Sequence, residues 1–166
     1  MQALRNMNLK KFIIIISLFS FSVFSQSENY VDNNGVKIFY VDYGPTNNEP
    51  ILLVQGLGGQ LTFWPQELIL TLQENGFRPI VYDNRDVGLS ENFEDYGKPN
   101  FVWNYAKFYL GLPLKSPYTL ADMASDGIAV LNDLKINKTH LLAQSMGGMI
   151  TQRTVSYTHL RAHETQ

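Results

Sequence analysis

Three apolar runs, Ile51 to Val54, Pro79 to Tyr82 and Thr139 to Ala143, each stop abruptly at a polar or glycine-bearing loop. A strand with one wet face alternates apolar and polar side chains, whereas a strand buried on both faces reads as an unbroken apolar run. The stretches between the runs carry a different period. From about Trp64 to Asn75, Leu68, Leu72 and their apolar neighbours return at helical spacing, Pro65 is tolerated in a first turn, and Gly76 suits the C-terminal cap. Thr119 with Asp122 three residues on forms an Asp variant of the capping box. Behind it Leu120, Met123, Ala124, Gly127, Ile128, Leu131 and Leu134 recur at i, i+3, i+4 and are expected to face a sheet. Strands alternating with helices predict an α/β fold: a mostly parallel sheet, right-handed crossovers, and helices on both faces.

Upstream, Tyr30 to Asp42 reads as two short strands around Asn33-Asn34-Gly35, because Asn-Gly supplies the positive φ of a tight hairpin turn. Asn92 to Tyr118 carries Phe93, Tyr96, Phe101, Trp103, Tyr105, Phe108 and Tyr109, among Pro99, Pro113 and Pro117, and reads as an aromatic connection rather than a linker. At 166 residues the chain has room for one domain. Cysteine is absent, which excludes disulfides, thiolate metal sites and a cysteine nucleophile. A formal charge of −2 offers no basic field for a phosphate backbone, so nucleic acid is not an expected partner.

The two ends read differently from the middle. Arg5, Lys10 and Lys11 precede an apolar run from Phe12 to Phe24, and Val23 and Ser25 are small enough for a signal peptidase. Residues 1–25 are therefore expected to be a signal peptide, cleaved after Ser25. The apolar run is too short for the ~20 residues that span a bilayer, so no membrane span is expected after cleavage, and the protein is expected to be exported, periplasmic or secreted. Losing those three of 13 basic residues leaves ten against 15 acidic ones. At the other end, Val155 to Thr165 resembles, residue for residue, one reading frame of a transposase-type sequencing-library adapter. Residues 155–166 are accordingly expected to be a non-native tail, which removes His159 and His163 from consideration as an i, i+4 metal pair.

Ser145 is the strongest candidate for chemistry. It follows a buried strand and precedes Met149 to Gln152, which can begin a helix. A sharp strand-to-helix turn lifts a serine out at the C-terminal edge of a sheet and needs small residues two before and two after, here Ala143 and Gly147. The helix N-terminus beneath favours developing negative charge.

With Gln55-Gly56-Leu57-Gly58-Gly59, Asp83 to Ser90, and Ala143 to Gly147 falling in that order, residues 30–154 resemble esterase-like members of the α/β-hydrolase fold. The resemblance implies that Ser145 is the nucleophile and that the backbone N–H groups of Leu57 and Met146 hold the oxyanion. Ala143, Gly147 and Gly56 would support the elbow and its facing loop. Asp83 and Arg85 resemble a loop-fixing pair. Two departures stand out: Gln55 replaces the family's His, and Asp86 replaces a Gly. In family order the triad acid and then the His follow the serine. Here only Thr154 and the adapter-like tail come after the elbow, and the chain is expected to be the N-terminal part of the domain, truncated there and inactive by itself. His140, inside a strand before the elbow, is expected to be structural, its side chain on a sheet face.

The expected activity of the whole protein is that of an exported serine hydrolase acting on a small-molecule ester or similar acyl substrate through a Ser145 acyl-enzyme. No metal and no cofactor is expected. Acyl transfer, perhydrolysis or thioester cleavage on the same scaffold are the alternatives, as is a non-catalytic binding protein that kept the fold. Dehalogenases and epoxide hydrolases of this fold are disfavoured, because they carry Asp at the nucleophile position.

Overall fold

Side chains alternating by two along the central strands create two separate cores. The computed structural model describes residues 27–97 and 100–164, with the backbone alone for Tyr96 and residues 158–164. The expected signal segment, residues 1–25, lies outside the described residues, and so do the side chains of His159 and His163. β1 (Ser27–Asn33) and β2 (Val36–Asp42) pair antiparallel across Asn34 and Gly35, both at positive φ (56° and 85°) as a tight hairpin requires. β3 (Glu49–Val54) leads through a 3₁₀ turn, Leu61–Phe63, to α1 (Gln66–Glu74) and β4 (Phe77–Tyr82). After a second 3₁₀ turn, Glu94–Tyr96, come α2 (Phe101–Tyr109), α3 (Leu120–Asp133), β5 (His140–Ala143) and α4 (Met146–Glu164).

The sheet order is β1-β2-β4-β3-β5, with β3 parallel to both β4 and β5 and β2 antiparallel to β4. Ile38, Tyr40, Leu52, Val54, Ile80 and Tyr82 face α3 and α4. Their neighbours Phe39, Val41, Leu53 and Val81 face the other way, towards Ile69 of α1. Helices therefore cover both faces, as the unbroken apolar runs require.

Four details differ from the sequence expectations. α1 begins at Gln66, with Pro65 as its N-cap rather than inside its first turn. β5 is half-exposed rather than buried, because among the described residues it pairs only with β3 and forms the sheet edge. On α3, Ile128 is only partly buried; Val130 and the carboxylate of Asp126 are fully buried instead. The aromatic connection contains a nine-residue helix, α2, that the prolines obscured. Asn100 caps it by accepting from Trp103 N–H at 3.0 Å, and Gly111 follows it at φ 67°. Phe101, Trp103, Tyr105, Phe108 and Tyr109 on that helix are all exposed.

The capping box on α3 is fully formed: Thr119 Oγ1 accepts from Asp122 N–H, and Asp122 Oδ2 accepts from Thr119 N–H at 2.7 Å. The Thr119 side chain and backbone bonds hold the Asp122 carboxyl below the usual carboxylate range. Deeper in the same helix, Asp126 accepts from Arg85 Nε at 2.8 Å, from a second Arg85 nitrogen at 2.7 Å and from Asn33 Nδ2 at 2.7 Å. One buried carboxylate thus joins the hairpin, the loop after β4 and α3. Removing one member of a buried pair strands the other's charge in low dielectric and costs about 3–5 kcal/mol. Asp126→Asn should therefore lower the unfolding free energy of the whole gene product by that order, read as a lower urea midpoint at unchanged slope; a midpoint near wild type would show that the pair is not holding these elements together.

Candidate active site

The site forms where β3, β4 and β5 run out at their C-terminal edge. The β3–β4 ladder ends at Leu53 opposite Val81, and beyond it the buried backbone must find other partners. Asn84 Nδ2 donates to Gln55 O at 3.1 Å, fixing the start of the loop after β3. Asp83 Oδ1 accepts from Leu61 N–H at 2.6 Å, fixing its end. Between these anchors Gly56 to Gly59 make a turn, with Gly59 N–H donating to Gly56 O and Gly58 at φ 66°. The Gln55 side chain is folded under this loop and buried, with its Oε1 beside Gly56 N–H and Gly59.

The loop after β4 owes its shape to the same aspartate. Asp83 Oδ2 accepts from Leu89 N–H at 2.9 Å, and a side chain on Gly88 would collide with that oxygen. Ser90 Oγ donates to Asp83 O at 2.6 Å and accepts from Phe39 N–H at 2.9 Å. Arg85 turns away from Asp83 to Asp126. Burial disfavours its charge, but the Asp126 bonds outweigh that and raise its pKa. Asp83 and Arg85 are both structural, as expected, yet each acts through a different partner.

Ser145 sits at φ 55°, a left-handed conformation uncommon for a residue with a side chain, directly between β5 and α4. The turn is possible only because its neighbours are small. A Cβ on Gly147 would lie 2.3 Å from Val54 O, and one on Gly56 would lie 2.9 Å from Ser145 Cβ and 3.4 Å from Met146 N. Gly56 therefore lets the loop after β3 press against the serine turn. Ser145 is exposed and borders an open cleft of about 560 Å³ shared with Gly56, Leu57 and Phe63. Met146 opens α4, so its N–H precedes the helical ladder. Among the described residues neither that group nor the Leu57 N–H has a hydrogen-bond acceptor, and no side chain bonds Ser145 Oγ.

The structure thus brings Ser145, Met146, Gly147, Gly56 and Leu57 together. Ala143 ends β5 two residues before the serine. It does not bring His140 to them. That residue begins β5, at the far end of the strand, where Nε2 lies 2.9 Å from Glu49 Oε1 and the ring meets Phe77 edge-on at 5.6 Å between centroids. Its side chain is more than half exposed, on the surface beside Glu49. Phe63 and Asn84 were not foreseen at the site. Phe63 follows no apolar period, and Asn84 acts through a loop distant in sequence. No group of three or more His, Asp or Glu among the described residues is placed to hold a metal.

A sequence profile described as the alpha/beta hydrolase fold matches residues 49–158. The chain belongs to the α/β-hydrolase fold family. Among curated α/β-hydrolase relatives, RutD of Variovorax paradoxus (strain S110), assigned as a carbamate hydrolase, is 32% identical over 113 residues, covering 68% of this chain and 35% of RutD. The rhodomycin D methylesterase DnrP of Streptomyces peucetius is 27% identical over 122 residues, covering 74% of this chain and 35% of that enzyme. Epoxide hydrolase A of Mycobacterium thermoresistibile superposes with a TM-score of 0.58 at 19% identity, over 78% of this chain and 34% of that one. A proline iminopeptidase-related protein of Thermus thermophilus gives a TM-score of 0.58 at 19% identity, over 80% of this chain and 40% of that one. At such identities the structural likeness carries the fold alone. The chain spans about a third of the length of the curated relatives it matches.

The two adjacent glycines in the serine turn of this α/β-hydrolase-fold chain should separate cleanly by mutation. Gly148 lies in a helix with open space where a Cβ would stand, so Gly148→Ala should stabilise by a few tenths to about 1 kcal/mol. Gly147→Ala should instead destabilise and displace the serine turn. Equal melting temperatures for the two variants would contradict this packing.

Proposed function

We propose that the whole protein is a serine hydrolase that cleaves a carboxylic ester or similar acyl bond through an acyl-enzyme on Ser145. The observation that carries this reading is the exposed Ser145 at positive φ, flanked by the unpaired Leu57 and Met146 N–H groups across Gly56. In the proposed reaction Ser145 Oγ attacks the acyl carbon while its proton passes to a general base. The carbonyl oxygen, now negative, is held by the Leu57 and Met146 N–H groups at the N-terminus of α4. Collapse expels the alcohol, which takes up the proton, and water then releases the acid by the same route. The base and its orienting acid are assigned, by family order, to a His and an Asp or Glu later in the protein than Ser145. A relative named as a methylesterase supports ester substrates. The nucleophile position carries Ser rather than Asp, which argues against epoxide chemistry despite the structural likeness to an epoxide hydrolase.

Export is part of the proposal, resting on the basic start, the apolar run from Phe12 to Phe24, and Ser25. The substrate is a small molecule, and neither metal nor cofactor is required.

A fluorophosphonate probe should label the whole gene product at Ser145, and Ser145→Ala should abolish labelling. Hydrolysis of p-nitrophenyl butyrate should then fall by roughly three decades or more, to what the oxyanion donors supply. N-terminal sequencing of the exported protein should begin near Gln26. Labelling at another residue, or full activity in the Ala variant, overturns the nucleophile assignment; a mature chain retaining Phe12 to Phe24 overturns export.

A further inference from the structure

A second cavity, of about 180 Å³, lies against the loop after β3 and shares Gly56 and Leu57 with the Ser145 cleft. Its lining is largely apolar, with Leu57, Met146, Met123, Leu120, Val87 and Tyr118 around it. Two of these, Leu57 and Met146, are the residues whose backbone N–H groups are assigned above to the oxyanion. Gly56 and Leu57 line both this cavity and the Ser145 cleft, so the cavity adjoins the site of a carbonyl held at the serine turn. An enclosed apolar cavity of about 150 Å³ takes up benzene. This one is similar in size but open on one side, and it has room for a single ring or a short alkyl chain.

One wall of the cavity is held by an unusual device. Asp86 is held in a left-handed conformation at φ 67° that Gly would adopt without strain. The aspartate is tied to both ends of the aromatic connection. Its Oδ1 accepts from Phe93 N–H at 3.0 Å, and its Oδ2 accepts from Tyr118 O–H at 3.1 Å. The Phe93 and Tyr118 rings meet at 5.1 Å between centroids, and the Arg85 guanidinium lies 5.8 Å from the centre of the Tyr118 ring. The excursion that carries α2 is thereby closed at its base. Tyr118, its last aromatic residue, is fixed in place as a wall of the cavity.

We propose that this cavity receives the apolar group next to the scissile carbonyl, and that Asp86, by clasping Tyr118, limits the size of that group. Asp86 is a positioning residue and Tyr118 a specificity-determining one. The assignment rests on the Ser145 reading above. It adds what an aspartate at positive φ is doing there: the hydrogen bonds to Phe93 and Tyr118 offset the backbone cost.

The test uses the whole gene product, with the ratio of kcat/KM for p-nitrophenyl octanoate to that for p-nitrophenyl butyrate as its readout. Wild type should favour butyrate. Asp86→Gly relieves the backbone strain and Tyr118→Phe keeps the ring, so both variants should fold. Each should raise the octanoate-to-butyrate ratio by about five-fold or more, since size discrimination in an apolar pocket is worth one to two decades. The double variant should go no further than the larger single effect, because both substitutions cut the same bond. A merely structural clasp would change stability and leave the ratio alone. Ratios within about two-fold of wild type in either single variant, or effects that multiply in the double, overturn the proposal while leaving the nucleophile assignment intact. Failure of the fluorophosphonate probe to label Ser145 in wild type overturns the serine reading and this proposal together.

Discussion

Three consecutive side chains after β4, Asp83, Asn84 and Arg85, hold the functional edge of this domain together. Parallel strands lose their ladder where they diverge, and the polar backbone they leave there is buried and out of reach of water. Asn84 and Asp83 bind the two ends of the loop after β3, at Gln55 O and Leu61 N–H. Arg85 reaches the opposite way, into α3, to the fully buried Asp126. All three are less than a tenth exposed, so each of their bonds is made in low dielectric, where an unmade bond is costly. The loop facing Ser145 is therefore held by side chains rather than by its own secondary structure.

Backbone strain is placed selectively on this scaffold. Of the four non-glycine residues at positive φ among the described residues, Asn34 and Lys135 serve ordinary turns, one in the hairpin and one after α3. Ser145 and Asp86 lie instead at the functional edge, Ser145 lining the open cleft and Asp86 between Arg85 and Val87 of the second cavity. A left-handed residue with a side chain costs on the order of 1–3 kcal/mol and persists only where its surroundings over-determine it. At Ser145 the surroundings are the close approaches of Gly147 to Val54 O and of Gly56 to the serine itself. At Asp86 they are two hydrogen bonds that close the base of the aromatic excursion.

What could be read before folding was whatever has a short period or a local cap. The unbroken runs located β3 and β4, Asn34-Gly35 located the hairpin turn, and Thr119 with Asp122 located the start of α3. The adjacency of Ser145 to small residues on either side marked the elbow. What could not be read depended on distant partners. Asp126 looks like an ordinary polar position on α3 until Arg85 and Asn33 are seen to meet it. α2 was hidden because prolines at 99, 113 and 117 suggested an irregular segment, while its N-cap, Asn100, leaves a weaker signal than a Thr-x-x-Asp box. β5 reads as apolar as β3, but its exposure is set by how many strands lie beside it, which no local pattern records.

The sequence alone determined the α/β class, the placement of a serine on a strand-to-helix turn, and the family to which these motifs belong. Those follow from periodicity and from the steric demands of a few residues on their immediate neighbours. Only the tertiary structure decided that Gln55 is supported by Asn84, that Arg85 pairs with Asp126 rather than Asp83, that His140 lies at the far end of β5 from Ser145, and that Asp86 holds Tyr118 against a second cavity. Each of these joins segments distant along the chain, and their partners are chosen by where parallel strands end and helices cross them, a geometry set by the packing of both cores at once.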